Sequence, residues 1–139
     1  MATAKTLIVT SGTSFTAPAD WNSSNNIVVA IGGGQGGGAS GTTSTSPSRY
    51  GGKGGAGGTL VMQPNVALAP GQIVYCNVGF GSVGTSITQT AGGSTWINSA
   101  SNAAPALQTD GILAVGGGGS GTSVGAVIYP GGAGGLGAD

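Results

Sequence analysis

The sequence contains no histidine and no glutamate, and only six of its 139 residues are charged: Lys5, Asp20, Arg49, Lys53, Asp110 and Asp139. General acid–base catalysis and metal binding draw mainly on the side chains that are scarce here. The three aspartates are scattered along the chain, so a paired-carboxylate site is not expected. Cys76 is the sole cysteine. It rules out an internal disulfide, and without a histidine base it reads as a small buried hydrophobe rather than a nucleophile. No enzyme activity, cofactor or metal is therefore expected. A basic patch is missing as well, which argues against nucleic acid as a partner. No apolar run exceeds five residues, far short of a membrane span, and the N-terminus does not read as a signal peptide.

Charge this sparse gives a free monomer poor colloidal solubility. Self-association, with a homotrimer as the expected form, or burial in a larger particle follows as an expectation. A net charge of zero also argues against disorder, since disordered chains are usually highly charged and poor in apolar residues.

What the chain has in abundance is glycine, 32 residues in all. Of these, 22 lie in four tracts at 32–38, 51–58, 116–121 and 131–137. Each tract is joined directly to a short apolar run. Two of them keep a period of three, Gly-Gly-Lys-Gly-Gly-Ala from Gly51 and Gly-Gly-Ala-Gly-Gly-Leu from Gly131. Two conformations suit such tracts. One is solvated extended coil; the other is a left-handed threefold helix of the polyproline II type, whose backbone groups bond to neighbouring helices. Packed polyglycine helices are the expected form, with Lys53, Ala56, Ala133 and Leu136 along one edge.

Between the tracts, β-branched runs without helical spacing predict strands. The expected strands are 6–10, 25–31, 59–63, 64–68, 72–78, 85–90, 94–97, 112–115 and 123–129. The run 25–31 is apolar enough to be buried on both faces. In 72–78, Ile73, Tyr75 and Asn77 alternate with Val74, Cys76 and Val78. Pro70-Gly71 fits the centre of a type II turn. Phe15 and Trp21 flank a corner at 17–20, and with Tyr75, Phe80 and Trp96 they are expected to anchor the core. The reading is a single all-β domain over residues 1–139: a small sandwich or jelly-roll-like core with packed glycine tracts and no substantial α-helix.

One motif invites a different chemistry. Gly79-Phe80-Gly81-Ser82-Val83-Gly84 matches GxGxxG, yet the residues after it are strand-like and no acidic residue follows before Asp110. A dinucleotide fingerprint needs a helix there and an acidic residue about 20 positions on. The match is expected by chance in a chain so rich in glycine.

The stretch from Phe15-Thr16-Ala17-Pro18-Ala19-Asp20-Trp21-Asn22 to Asn26-Ile27-Val28-Val29-Ala30-Ile31-Gly32-Gly33-Gly34 resembles the opening of glycine-rich tail proteins of bacteriophages and prophages. Leu68-Ala69-Pro70-Gly71-Gln72 through Val78-Gly79, and then Gly92-Gly93-Ser94-Thr95-Trp96-Ile97-Asn98, resemble the family's next blocks in order and spacing. The resemblance spans most of the chain and implies a structural virion protein, most often a tail fibre, tail tip or adhesin. In such adhesins a slab of polyglycine helices carries variable loops that recognise the host surface. The matching loops here are 39–49 and 121–128. Candidate contacts to a host glycan, an outer-membrane protein or another virion protein are Ser44, Ser46, Arg49, Tyr50, Thr122 and Tyr129. Tyr50 and Tyr129 border glycine tracts, where each either stacks on a sugar or partner or caps the glycine layer. Two other functions fit the sequence: a capsid decoration, head-fibre or tail-assembly protein without receptor binding, and, more remotely, an extracellular ice-binding-like protein. The last tract runs out at Gly137-Ala138-Asp139, which fits completion of the layer by a neighbouring copy or a role as an attachment module.

Overall fold

A computed structural model describes residues 5–38, 52–84 and 89–135, which hold seven strands and no α-helix. The strands are β1 (Ser14–Thr16), β2 (Ile27–Ile31), β3 (Leu60–Pro64), β4 (Ile73–Asn77), β5 (Thr95–Asn98), β6 (Gly111–Ala114) and β7 (Val127–Tyr129). They form two antiparallel sheets, ordered β1-β4-β5-β6 and β2-β3-β7. The sheets meet through Ala30 and Val61 of one and Ile112 and Ala114 of the other, with Val28 and Ile97 against them. A second cluster, Ala17, Leu68 and Val74, is closed by Phe15, Trp21 and Val66. Ile97 touches both clusters and ties them into one core.

Period-two patterning explains most of this burial. In β4, Val74 and Cys76 are buried while Ile73 and Asn77 are exposed, as the alternation predicts. The turn before it closes with Gln72 N–H donating to the Ala69 carbonyl at 3.0 Å, and Gly71 sits at φ 76°. That positive φ is the type II requirement that glycine meets without strain.

Several expectations are corrected. The β2 strand is not buried on both faces: Ile27, Val29 and Ile31 are 64%, 49% and 60% exposed, and only its Ala30 side enters the core. Residues 6–10 form no strand; they flank the edge of β2, where the Thr95 hydroxyl already takes the Ile31 carbonyl at 2.6 Å. Lys5 donates to the Asp20 carboxylate and holds that carboxyl below its usual range. The stretch 64–68 is not a strand beyond Pro64, because Asn65 turns the chain at φ 55°. The Val66 backbone then pairs with side chains: its N–H donates to Asn26 Oδ1 at 2.9 Å, and its carbonyl accepts from Trp21 Nε1 and Asn26 Nδ2. The corner at 17–20 is as expected: Phe15 in β1 precedes it and Trp21 closes it, its N–H donating to the Pro18 carbonyl at 3.0 Å. From 123–129 only Val127–Tyr129 is strand, with Val124 making a single bridge to Leu113. The expected strand 85–90 falls largely outside the described residues, and 89–90 is not strand.

Beyond one end of the sheets, six strands run straight into or out of extended glycine-rich segments. Helix A (32–38) continues β2, helix B (52–58) enters β3, helix C (79–84) follows β4 and helix D (89–93) enters β5. The short segment E (115–117) continues β6, and helix F (131–135) follows β7. Their bonds repeat every three residues. Gly32, Gln35 and Gly38 donate to Thr59, Ala56 and Lys53; Gly33 and Gly36 donate to Gly93 and Thr90; Gly54 and Gly57 donate to Gly135 and Gly132. A three-residue repeat of backbone bonds directed at different neighbours is the signature of packed polyproline II-type helices. Within the described residues the tracts are thus ordered polyglycine helices, in two rows, A-B-F and C-D-E, that keep the order of the two sheets. The third tract departs from this: only Gly116 and Gly117 pack on the backbone of neighbouring helices, Gly118 lies against the Gln35 side chain, and Gly118 and Gly121 turn the chain at φ 68° and 139°.

Close approach is what demands glycine here. A Cβ on Gly36 would stand 2.7 Å from the Gly84 nitrogen and 2.8 Å from the Val83 carbonyl carbon. Both are backbone atoms, so no side chain can rotate away. Gly36→Ala is expected to lower unfolding free energy by about 1–3 kcal/mol, as overpacking does. Urea denaturation compared with wild type measures it.

Candidate functional site

Helix A leaves the sheets at Gly32 and reaches its far end at Gly38, about 20 Å away at 3.1 Å per residue. At that far end Gly38 donates to the Lys53 carbonyl at 2.8 Å. The bond ties together the described residues on either side of 39–51. Gly84 packs on Gly37, and Gln89 Nε2 donates to the Gly54 carbonyl at 2.6 Å, so the base of 85–88 sits beside it. Gly54 also donates to the Gly135 carbonyl at 3.0 Å. Three chain segments therefore depart from one end of the bundle, on stems fixed by backbone bonds. Lys53 is exposed there and brings a positive charge to that end.

The six candidate contact residues divide between this end and the sheets. Ser44, Ser46, Arg49 and Tyr50 lie outside the described residues, between Gly38 and Lys53 in the chain. Thr122 and Tyr129 are exposed at the junction of sheets and bundle. Thr122 precedes Ser123, whose Oγ accepts from the Val115 N–H at 3.1 Å, and Tyr129 ends β7 opposite Leu60. No hydrogen bond among the described residues joins Thr122 to Tyr129. The second candidate loop is also shorter than expected, because Val127 and Ile128 belong to β7.

A feature not foreseen from the sequence is a groove of about 370 Å³ on the flank of the sandwich. Its walls are 65–68 on one side and 108–111 on the other, with Gln63, Ile97 and Ser99 between. Gln108 Nε2 donates to Gln63 Oε1 at 2.6 Å across it. The far wall is held by Asn98, the one buried polar side chain among the described residues. Asn98 Nδ2 donates to the Ala103 carbonyl at 2.9 Å, and its Oδ1 accepts from the N–H groups of Ala100 and Ser101 at 2.8 and 3.1 Å. The lone signal in the sequence was an asparagine at the end of a strand followed by Ser-Ala-Ser, a pattern that favours side-chain-to-backbone turns.

The remaining motifs resolve into packing. The glycines of GxGxxG belong to helix C: a Cβ on Gly79 would run into the Gly93 carbonyl, and one on Gly84 into that of Gly37. Phe80, expected in the core, is 78% exposed. Its backbone packs beneath Gly33 and its carbonyl accepts from Gly93, so helix C turns the side chain out. Trp21 and Phe15 do close the core, while Tyr75 and Trp96 are half-buried. Cys76 is buried in β4, and burial pushes its thiol up from the ordinary value. No helix among the described residues is long and apolar enough to cross a membrane. No family model matches the chain, and neither a curated protein nor a solved structure does.

Two outcomes follow. Asn98→Ala, which strips the turn of its three backbone partners, is expected to cost about 1–3 kcal/mol. Hydrogen exchange should accelerate at 99–110 well before β2 and β3. Cys76 should react slowly with a thiol reagent at pH 8 in the folded protein and rapidly once guanidinium unfolds it, since the thiolate is the reacting form.

Proposed function

We propose that this chain is a structural protein of a phage virion, of the tail-fibre or adhesin type, that displays loops to a host surface from the far end of its glycine bundle. The observation that carries the reading is the convergence of three segments on that end, with the described residues on either side of 39–51 tied together by the Gly38–Lys53 bond. A backbone lattice is a stiff support for recognition loops: its helices are cross-bonded by main-chain groups, which no side-chain rotation can break. Binding loops carried on a rigid scaffold lose less freedom on engagement than free ones. The polar loop Ser44, Ser46, Arg49 and Tyr50 supplies hydroxyl, guanidinium and phenol groups suited to a glycan or an outer-membrane protein. The resemblance of the 15–34, 68–79 and 92–98 blocks to glycine-rich phage tail proteins supports the same reading.

A second reading, a capsid decoration, head-fibre or tail-assembly protein, is favoured by a different observation. The outer face of the β2-β3-β7 sheet is apolar and uncovered, as a face seated on other virion proteins would be. The two are told apart on the particle. Virions carrying a deletion of 39–49 should assemble normally and adsorb at least about tenfold more weakly to host cells, the loss of some 1.4 kcal/mol or more of binding. Unchanged adsorption by intact particles would remove the receptor role, and electron microscopy placing the protein on the capsid or shaft would favour the second reading.

A further inference from the structure

Helix F is the end member of the row A-B-F, and its glycines are of two kinds. Gly131 and Gly134 face helix B, where a Cβ would strike the carbonyl groups of Gly57 and Gly54. Gly132 and Gly135 meet no atom of the described residues within 4 Å, and neither has a positive φ. Helix B shows what the pattern is for. Its Gly55 and Gly58 face helix A, its Gly54 and Gly57 face helix F, and only the third position, Lys53 and Ala56, is left for side chains. Both glycine faces of helix B are packed, whereas helix F, with the same Gly-Gly-Ala-Gly-Gly order, has one packed and one bare. Neither packing against the described residues nor backbone conformation explains glycine at 132 and 135, where alanine would restrict the unfolded chain and stabilise the fold.

Hydrogen bonding gives the same picture independently. Helix A sends its N–H groups alternately to helices B and D. In helix F the carbonyls of Gly132 and Gly135 are taken by helix B, but among the described residues nothing accepts from the N–H groups of 131–135. Directly before helix F, β7 pairs with β3 on one side only and leaves its other edge open. A row of donors that no described residue accepts, resuming after Pro130 from an open strand edge, is a template for another extended backbone.

We infer that this edge is where a second copy of the chain docks, helix F against helix F, with the association axis running along the helix. The parallel arrangement follows from area. Antiparallel helices would bury little beyond five residues each. Parallel helices keep both sandwiches at the same end and bring the apolar outer sheet face into the contact. Val127 and Tyr129, 43% and 55% exposed on the outer face of β7, are the apolar side chains that this edge brings into the contact. No charged residue occurs from Val127 to Gly135, so like charges do not oppose the approach. The inference requires only the backbone lattice and holds whichever surface the loops recognise.

The test uses the full chain and sedimentation equilibrium at micromolar concentration. Wild type should sediment as two or three chains. Gly132→Val with Gly135→Val should reduce it to a monomer with an unchanged far-ultraviolet circular dichroism spectrum, because both added side chains point into open space in the protomer. Tyr129→Lys, a change confined to an exposed side chain, should weaken association as well and serves if the double variant fails to fold. A monomeric wild type would overturn the inference. So would an oligomer as stable in the folded double variant, or in Tyr129→Lys, as in wild type.

Discussion

Everything in this protein depends on how closely two backbones can approach when neither carries a side chain. Helix A is surrounded by helices B, C and D and segment E, and bonds to each of them through main-chain groups. An added Cβ at most of its contacts would fall on a carbonyl or amide of the neighbour rather than on a movable side chain. The bundle therefore has no hydrophobic core in the usual sense. Its order comes from saturating backbone donors and acceptors, which any buried segment must do, and from the small distance at which glycine lets them do it.

Ordering so many glycines is entropically costly, since each loses more freedom than any other residue. The sheets offset that cost by fixing where the helices start. Each helix is a continuation of a strand, and the antiparallel order of the strands becomes the order of the two rows. Thr95 shows how the two halves are joined. Its hydroxyl donates to the Ile31 carbonyl at the end of β2 and accepts from the Gly79 N–H at the start of helix C, at 2.6 and 3.0 Å. One short side chain in β5 thus registers both sheets and the bundle together. Asn26 does similar work on the opposite side, replacing a strand ladder along 65–66 with amide bonds.

This division explains what the sequence made legible. Strands β2 to β6 could be read because their apolar residues alternate or cluster between turn residues, and the helices at 32–38, 52–58 and 131–135 because glycine repeats there. Helices C and D were harder to see. Only five of the eleven residues in 79–84 and 89–93 are glycine, and the spacing Gly79, Gly81, Gly84 looked like a chance nucleotide motif. Their partners, Gly93, Gly34 and Gly37, lie far away in sequence, so the reason for the spacing exists only in three dimensions. The same holds for β2, whose composition suggests burial on both faces although the fold covers one. An apolar side chain reports a tendency to be covered, not what covers it. The groove beside Gln63 and Gln108 was invisible because it is formed by two turns whose positions are set by Asn65 and Asn98.

The lattice also accounts for the poverty of charge. A charged residue needs a side chain, and in a packed Gly-Gly-x helix only one position in three can carry one. Lys53 and Ala56 occupy that position in helix B, while the inner helix A has Gly34 and Gly37 where it faces helix B. Charge is thereby confined to that exposed position and to residues outside the packed helices, such as Lys5, Asp20 and Asp110. The bonds from Gly38 to Lys53 and from Gly54 to Gly135 at the far end are likewise all main chain, so they hold whatever side chains the neighbouring positions carry.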